Sequence, residues 1–412
     1  MTPTSPSERE PILDALRGFA ILGILLVNIE VMRGSDWLVA MAGGYVAASA
    51  LPDRIVQFAI GWLATGKFIS SLAILFGIGA ALIAARSLRA GESPRPLLIR
   101  RYVCLIAFGI AHMLLFPGDI LFLYGVTGLI LLAFVTLHVR TLLAWSATLL
   151  AVFSLMSLRQ WALVYRTDAF RSGVEFTPDS FTTFLDQLRA DTVVAFTTGG
   201  WSDIFAVHAW QAFLLQTSQL SALPWVLALF LFGFAIARTG ILNDLGKHRA
   251  LLKWGALIGL VLGLPANIGL GLIGPLAAFG APPLSEPIWV TRWAAFAQTI
   301  GAPVLAVGYA CALALFWLRR GAMRPLVAVG RMALTAYLLQ SALTLAVFAG
   351  LRLYDRLSTA SAVLVVGVIW AVLLVICPLW LRWFRLGPVE WLWRSLTYGR
   401  MEALRVAREK ML

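Results

Sequence analysis

Charge is scarce in this chain. Asp, Glu, Lys and Arg make up only 13% of its 412 residues, against 60% hydrophobic. A water-soluble protein of this size needs far more polar surface than that. Cysteine is scarce too: Cys104, Cys311 and Cys377 each fall within an apolar run, which excludes a disulfide framework and a cysteine-based metal centre. The sequence has no glycine-rich nucleotide loop, no zinc-ligand spacing and no low-complexity stretch. No small-residue cleavage site follows the first apolar run, so that run reads as a retained helix, not a signal peptide.

What is present is a series of apolar runs of about 20 residues, the length a bilayer demands of a spanning helix. The fold class is therefore all-α, a polytopic membrane helical bundle. Ten spans are expected: 12–31, 66–85, 97–116, 119–137, 141–160, 222–239, 250–273, 289–318, 325–350 and 359–381. The stretch "DRIVQFAIGWLATG" before the second span reads as an interfacial helix. Residues 1–400 form one integral membrane domain, and 401–412 a basic tail.

The net charge of +13 does not mark a nucleic-acid binder, because the basic residues sit in short loops between apolar runs. "RSLRAGESPRPLLIRR" (86–101) alone holds five arginines. Arg140, Arg238, Lys247, Arg249, Lys253, Arg319, Arg320, Arg324 and the chain after Arg382 fall on the same side. The positive-inside rule then puts both termini in the cytoplasm. Residues 161–221 form a long external region, rich in acidic residues such as Asp168, Glu175 and Asp179. Its stretch "SFTTFLDQLRADTVVAF" has helical spacing, with Asp179 as a cap.

Ionisable groups inside spans are costly and tend to face the protein interior. Three constellations stand out. In "LDALRGFAILGILLVNIE" (13–30), Asp14 and Arg17 are one turn apart and can pair. Asn28 lies three turns beyond Arg17 on the same face, roughly 16 Å away. In "FGIAHMLLFPGDILFLYG" (108–125), the Pro117-Gly118 turn can fold Asp119 back onto His112, and a carboxylate that orients an imidazole makes a general base. Tyr124 adds a hydroxyl nearby. In "GRMALTAYLLQSAL" (330–343), Arg331 stands at the same end as Arg17 and suits phosphate. Thr335, Tyr337, Gln340 and Ser341 continue the polar component inward. Interfacial anchoring and interhelical hydrogen bonds account for each of these residues singly. Lys67, Arg292, Gln298, His208, Asn267 and the tail segment "GPVEWLWRSLTYGR" (387–400) read more simply as anchors.

Together "LDALRGFAILGILLVNI", "LFGIG", "RRYVCLIAFGIAHMLL", "GDILFLYG", "GRMALTAYLLQS" and "GPVEWLWRSLTYGR" resemble the YeiB-like family of bacterial inner-membrane proteins, a domain of unknown function. Ala336 stands where such proteins often carry asparagine. The first helix is also similar to that of transmembrane acyltransferases. In the acyltransferase-three group an arginine is followed, ten residues intervening, by a histidine. Here Arg17 is followed at that spacing by Asn28. In the heparan-glucosaminide acetyltransferase group asparagine occupies the same place.

That likeness implies an acyltransferase-like enzyme with no bound cofactor or metal. Asp14, Arg17 and Arg331 would hold the phosphates of a cytoplasmic acyl-CoA, with Tyr124 and Gln340 along the path. Asparagine cannot act as the base, so the likeness supplies none; the His112–Asp119 pair read above would take that role and deprotonate a sugar, peptide or lipid acceptor, with Asn28 stabilising the oxyanion. Two further readings stay open: a transporter or flippase of a small or amphipathic molecule, and a non-catalytic membrane partner on an acyltransferase-like scaffold.

Overall fold

A computed structural model describes residues 11–41, 50–164, 179–278, 287–321 and 323–405. Asp168, Glu175 and the tail 406–412 lie outside them. The described chain is a helical bundle. Its helices are α1 (Pro11–Met32), α2 (Asp36–Met41), α3 (Leu51–Leu63), α4 (Lys67–Arg89), α5 (Arg95–His112), α6 (Leu121–Leu131), α7 (Val139–Val164), α8 (Asp179–Thr197) and α9 (Trp201–Leu220). They continue with α10 (Leu223–Arg238), α11 (Arg249–Ala266), α12 (Ile268–Ile273), α13 (Ile288–Phe296), α14 (Ala302–Arg320), α15 (Arg324–Arg331), α16 (Ala333–Leu345), α17 (Thr359–Trp383) and α18 (Pro388–Tyr398).

Seven helical runs among the described residues are long and apolar enough to cross a membrane, and an eighth if the bent α9–α10 pair counts as one span. The ten expected segments all contain helix, but several have different limits; the seventh, 250–273, divides at Asn267 into α11 and α12. The expected interfacial helix before the second span is continuous with it, giving a 39-residue run from Leu51 to Arg89 broken only at residues 64–66. The expected fourth span, 119–137, ends as a helix at Leu131; eleven residues reach about 16 Å, half a bilayer core. The expected ninth span divides at Met332 into α15 and α16.

The region 161–221, expected to be external, holds α8 and α9 among its described residues. They pack in their own apolar cluster with Val31, Met32, Trp37, Phe116 and Tyr354, at the end of the bundle where α1 finishes. The two helices form a cap there. A polar clamp ties cap to bundle. Arg33 pairs with Glu30 at 3.0 Å and Asp36 at 3.1 Å. The Asp355 carboxylate accepts from the Ser35 amide and hydroxyl, and Arg189 of α8 donates to that same hydroxyl. Glu30 is wholly buried; its Oε2 accepts from Arg33 and from the Thr359 hydroxyl, while its Oε1 has no partner.

At the other end α1 crosses α15 backbone to backbone. A Cβ added at Gly330 would lie 1.7 Å from the Asp14 carbonyl oxygen, and one at Gly18 would lie 2.1 Å from that of Leu326. Small residues permit such approach in membrane bundles. Gly330→Ala should therefore lower stability by about 1–3 kcal/mol, read as a lower melting temperature of the purified protein in detergent. Gly367→Ala, whose added carbon meets nothing within 4 Å, should not lower it.

Candidate functional site: an arginine-lined cavity beneath a buried His–Asp pair

The α1–α15 crossing places Asp14, Arg17 and Arg331 together. Their side chains open on a cavity of about 510 Å³ at that end of the bundle. Arg86, Arg89, Arg101 and Arg394 line it as well, so six arginines face two acids, Asp14 and Glu390. Arg17 donates to Asp14 at 2.7 Å. Arg331 donates to the Arg385 carbonyl oxygen at 3.2 Å, and its buried Nε has no partner. The Arg101 guanidinium lies 3.7 Å above the Trp393 ring, a contact that holds the cation in place.

Further in, the walls turn apolar: Ile21, Leu72, Leu75, Phe76, Ile120 and Leu121, with Tyr124 and Tyr337. The cavity is thus basic at one end and oily at the other. It suits an amphiphile with an anionic, phosphate-type head, which arginine forks bind well.

Glu390 explains the break at Met332. Its Oε1 accepts from the Leu334 and Thr335 amides at 2.6 and 3.0 Å, and its Oε2 from the Thr335 hydroxyl. The carboxylate caps the start of α16, where the helix dipole favours negative charge. Burial pushes the Glu390 carboxyl above its usual range, and these donors oppose that shift.

The His112–Asp119 pair lies beyond the oily end. Nδ1 of His112 is 2.7 Å from Oδ1 of Asp119, and both side chains are wholly buried. The Phe122 amide donates to the other carboxylate oxygen. The Tyr337 ring, which lines the cavity, sits 4.8 Å from the imidazole, centre to centre. His112 Nε2 is buried without a hydrogen-bond partner.

Asp14, Arg17, Arg331 and Tyr124 therefore share one cavity, with His112 and Asp119 behind its wall. Tyr124 donates its hydroxyl to the Ile69 carbonyl oxygen at 2.6 Å. Two further expected residues do not line the cavity either. Gln340 donates to the Ile21 carbonyl oxygen at 3.0 Å, which pins α16 to α1. Asn28 is buried on α1 three turns beyond Arg17; the expected polar stripe meets the cavity only from Asp14 to Ile21. Lys67 is buried and donates to the Gly61 and Thr65 carbonyl oxygens, closing the end of α3. Among the described residues no cluster of His, Cys, Asp or Glu could hold a metal ion.

Sequence reasoning missed Arg86, Arg89, Arg101 and Arg394 as cavity residues, taking them for orientation charges and anchors. It also missed Glu390. The signal was there in the tail segment: an acid one turn before Trp393 and Arg394 on an otherwise basic, aromatic helix.

Fold and site together define an integral membrane protein with a basic, half-oily cavity at one end and a capped His–Asp pair toward the other. Residues 236–400 match the family described as Protein of unknown function (DUF418). The chain is 30% identical to Uncharacterized protein YxaH of Bacillus subtilis, over 97% of this chain and 96% of that one. It is also 30% identical to Uncharacterized protein YeiB of Escherichia coli, over 95% and 96%. A protein of Bacillus acidopullulyticus, "Uncharacterized 39.9 kDa protein in amylase 3'region", is 25% identical over 99% of both chains. No solved structure matches the chain. The chain belongs to the YeiB-like DUF418 family of bacterial membrane proteins.

Glu390→Ala would leave the Leu334 and Thr335 amides without their acceptor. It should cost about 1–3 kcal/mol and lower the melting temperature of the purified protein. Glu390→Gln, which keeps an acceptor oxygen, should lower it less.

Proposed function

We propose that this protein is an acyltransferase-like enzyme of the bacterial inner membrane, moving an acyl group from a cytoplasmic acyl-CoA to an acceptor on the far side. The observation that carries the reading is the single axis from the arginine-lined cavity, along its oily wall, to Tyr337 and the His112–Asp119 pair. Positive-inside orientation puts the arginine end in the cytoplasm.

Arg17 and Arg331, joined by the mouth arginines, hold the donor phosphates. The pantetheine arm lies along Leu72, Phe76 and Ile120, which brings the thioester to the Tyr337 end of the cavity. Asp119 keeps the His112 proton on Nδ1, so Nε2 is free to act as base. The acceptor's O–H or N–H proton passes to Nε2 as its oxygen or nitrogen bonds the thioester carbonyl carbon. The carbon–sulfur bond breaks, and the thiolate takes the proton back from His112. Asn28 donates to the developing oxyanion, a role that places the reacting carbon beyond the Tyr337 wall.

A transporter reading has one specific observation behind it. The Leu51–Arg89 run breaks beside buried Lys67, a π-helical turn interrupts the Ile288–Arg320 run at Ala297–Gly301, and another ends the Ala333–Gly350 run at Ala346–Gly350. Discontinuous helices of this kind house sites in transporters.

Acyl-CoA binding to the detergent-purified protein tests the enzyme reading. Arg17→Ala and Arg331→Ala should each weaken binding at least about tenfold, the loss of one charge-assisted contact. His112→Ala should leave binding within about twofold and lower turnover by about 10²–10⁴. Absence of binding to folded wild type, with uptake of an amphiphile into vesicles instead, would favour the transporter.

A further inference from the structure

The cap brings a second open polar atom to the His–Asp pair. Gln216 of α9 is more than nine-tenths buried. Its Nε2 donates to the Asp119 carbonyl oxygen at 2.8 Å and to that of Pro117 at 3.3 Å. Only the amide nitrogen can face two carbonyls, which fixes the orientation of the group. The Gln216 Oε1 is left buried without a partner. His112 is constrained in the same way. Its Nδ1 faces a carboxylate and so carries the proton, which leaves the unpartnered Nε2 as an acceptor.

Both open atoms thus accept and neither donates, and both side chains are tied to the one residue Asp119. Buried acceptors of this kind call for O–H or N–H donors. Aromatic rings frame the place, Tyr337 at 4.8 Å and Phe116 at 6.2 Å from the imidazole. Phe116 belongs to the apolar cluster shared with the cap. The cap is also held over the turn after His112 by His208, whose Nδ1 lies 2.7 Å from the Leu114 carbonyl oxygen.

We propose that His112 Nε2 and Gln216 Oε1 together form the acceptor site, between bundle and cap, for a molecule presenting at least two hydroxyl or amine donors. This rests on the acyl-transfer reading. One donor is the reacting group, whose proton goes to His112; the second is held by Gln216, which makes the cap part of the site. Gln216 is then a binding residue contributed by the external region.

The test is carbethoxylation of His112 by diethyl pyrocarbonate, read by mass spectrometry on the full chain in lipid nanodiscs. Glucose and glycerol are the probes, and tetrahydropyran, a ring without donors, is the control. In wild type, glucose should slow modification at least about fivefold and tetrahydropyran should not. Gln216→Leu should reduce that protection to less than about twofold, since one hydrogen bond is worth about a fivefold change. Gln211→Leu, which removes a cap bond to Thr192 away from the pair, should behave as wild type. Equal protection in wild type and Gln216→Leu would overturn the proposal. So would equal protection by tetrahydropyran, free labelling that glucose does not slow (a site for water only), or no labelling of His112 at all. Loss of acyl-CoA binding in Arg17→Ala reports on the donor reading separately, whichever way the cap result falls.

Discussion

The crossing of α1 over the α15–α16 elbow holds the rest in place. Gly18 and Gly330 let the two backbones touch, and that contact sets Asp14 and Arg17 beside Arg331. The elbow leaves the start of α16 without helical partners, and Glu390 from α18 supplies them. Two side chains then lock the neighbouring helices to α1: Gln340 to the Ile21 carbonyl oxygen and Trp370 to that of Leu22. In a bilayer, lipid offers no hydrogen bonds to compete, so such groups must be met inside the protein. The cavity is what remains once these obligations are met.

Asp119 does the corresponding work toward the other end. One carboxylate oxygen fixes the His112 imidazole, the second takes the Phe122 amide at the start of α6, and the backbone carbonyl takes Gln216 from the cap. One residue joins bundle, cap and the buried imidazole. The outer clamp around Arg33 and Asp355 secures the same cap a short distance along the chain from α1. The molecule thus has a charged, half-open end and a closed, aromatic one, with the cavity's apolar wall and the Tyr337 ring between them.

Much of this could be read in the residues. The helical segments followed from apolar run length alone. The His112–Asp119 juxtaposition followed from a Pro-Gly turn between two helices, a local feature. Asp14 and Arg17 followed from one-turn spacing. What could not be read was non-local. Arg86 and Arg101 flank one loop and look like orientation charges; only the packing of α4, α5 and α18 turns them toward a common space. Gln216 sits in a region that reads only as a long external segment, and nothing in its spacing says that it reaches Asp119. Gln340 and Asn28 share a helix face with real cavity residues. Helical period alone could not separate the face toward the cavity from the face toward a neighbouring helix.

The central claim is that one axis links a phosphate-binding mouth to a buried base. A density map of the protein with a non-hydrolysable acyl-CoA analogue tests it most directly. The account predicts phosphates against Arg17 and Arg331 and the acyl end against Tyr337, below His112. Analogue bound elsewhere, or a cavity that excludes it at saturation, would contradict the account.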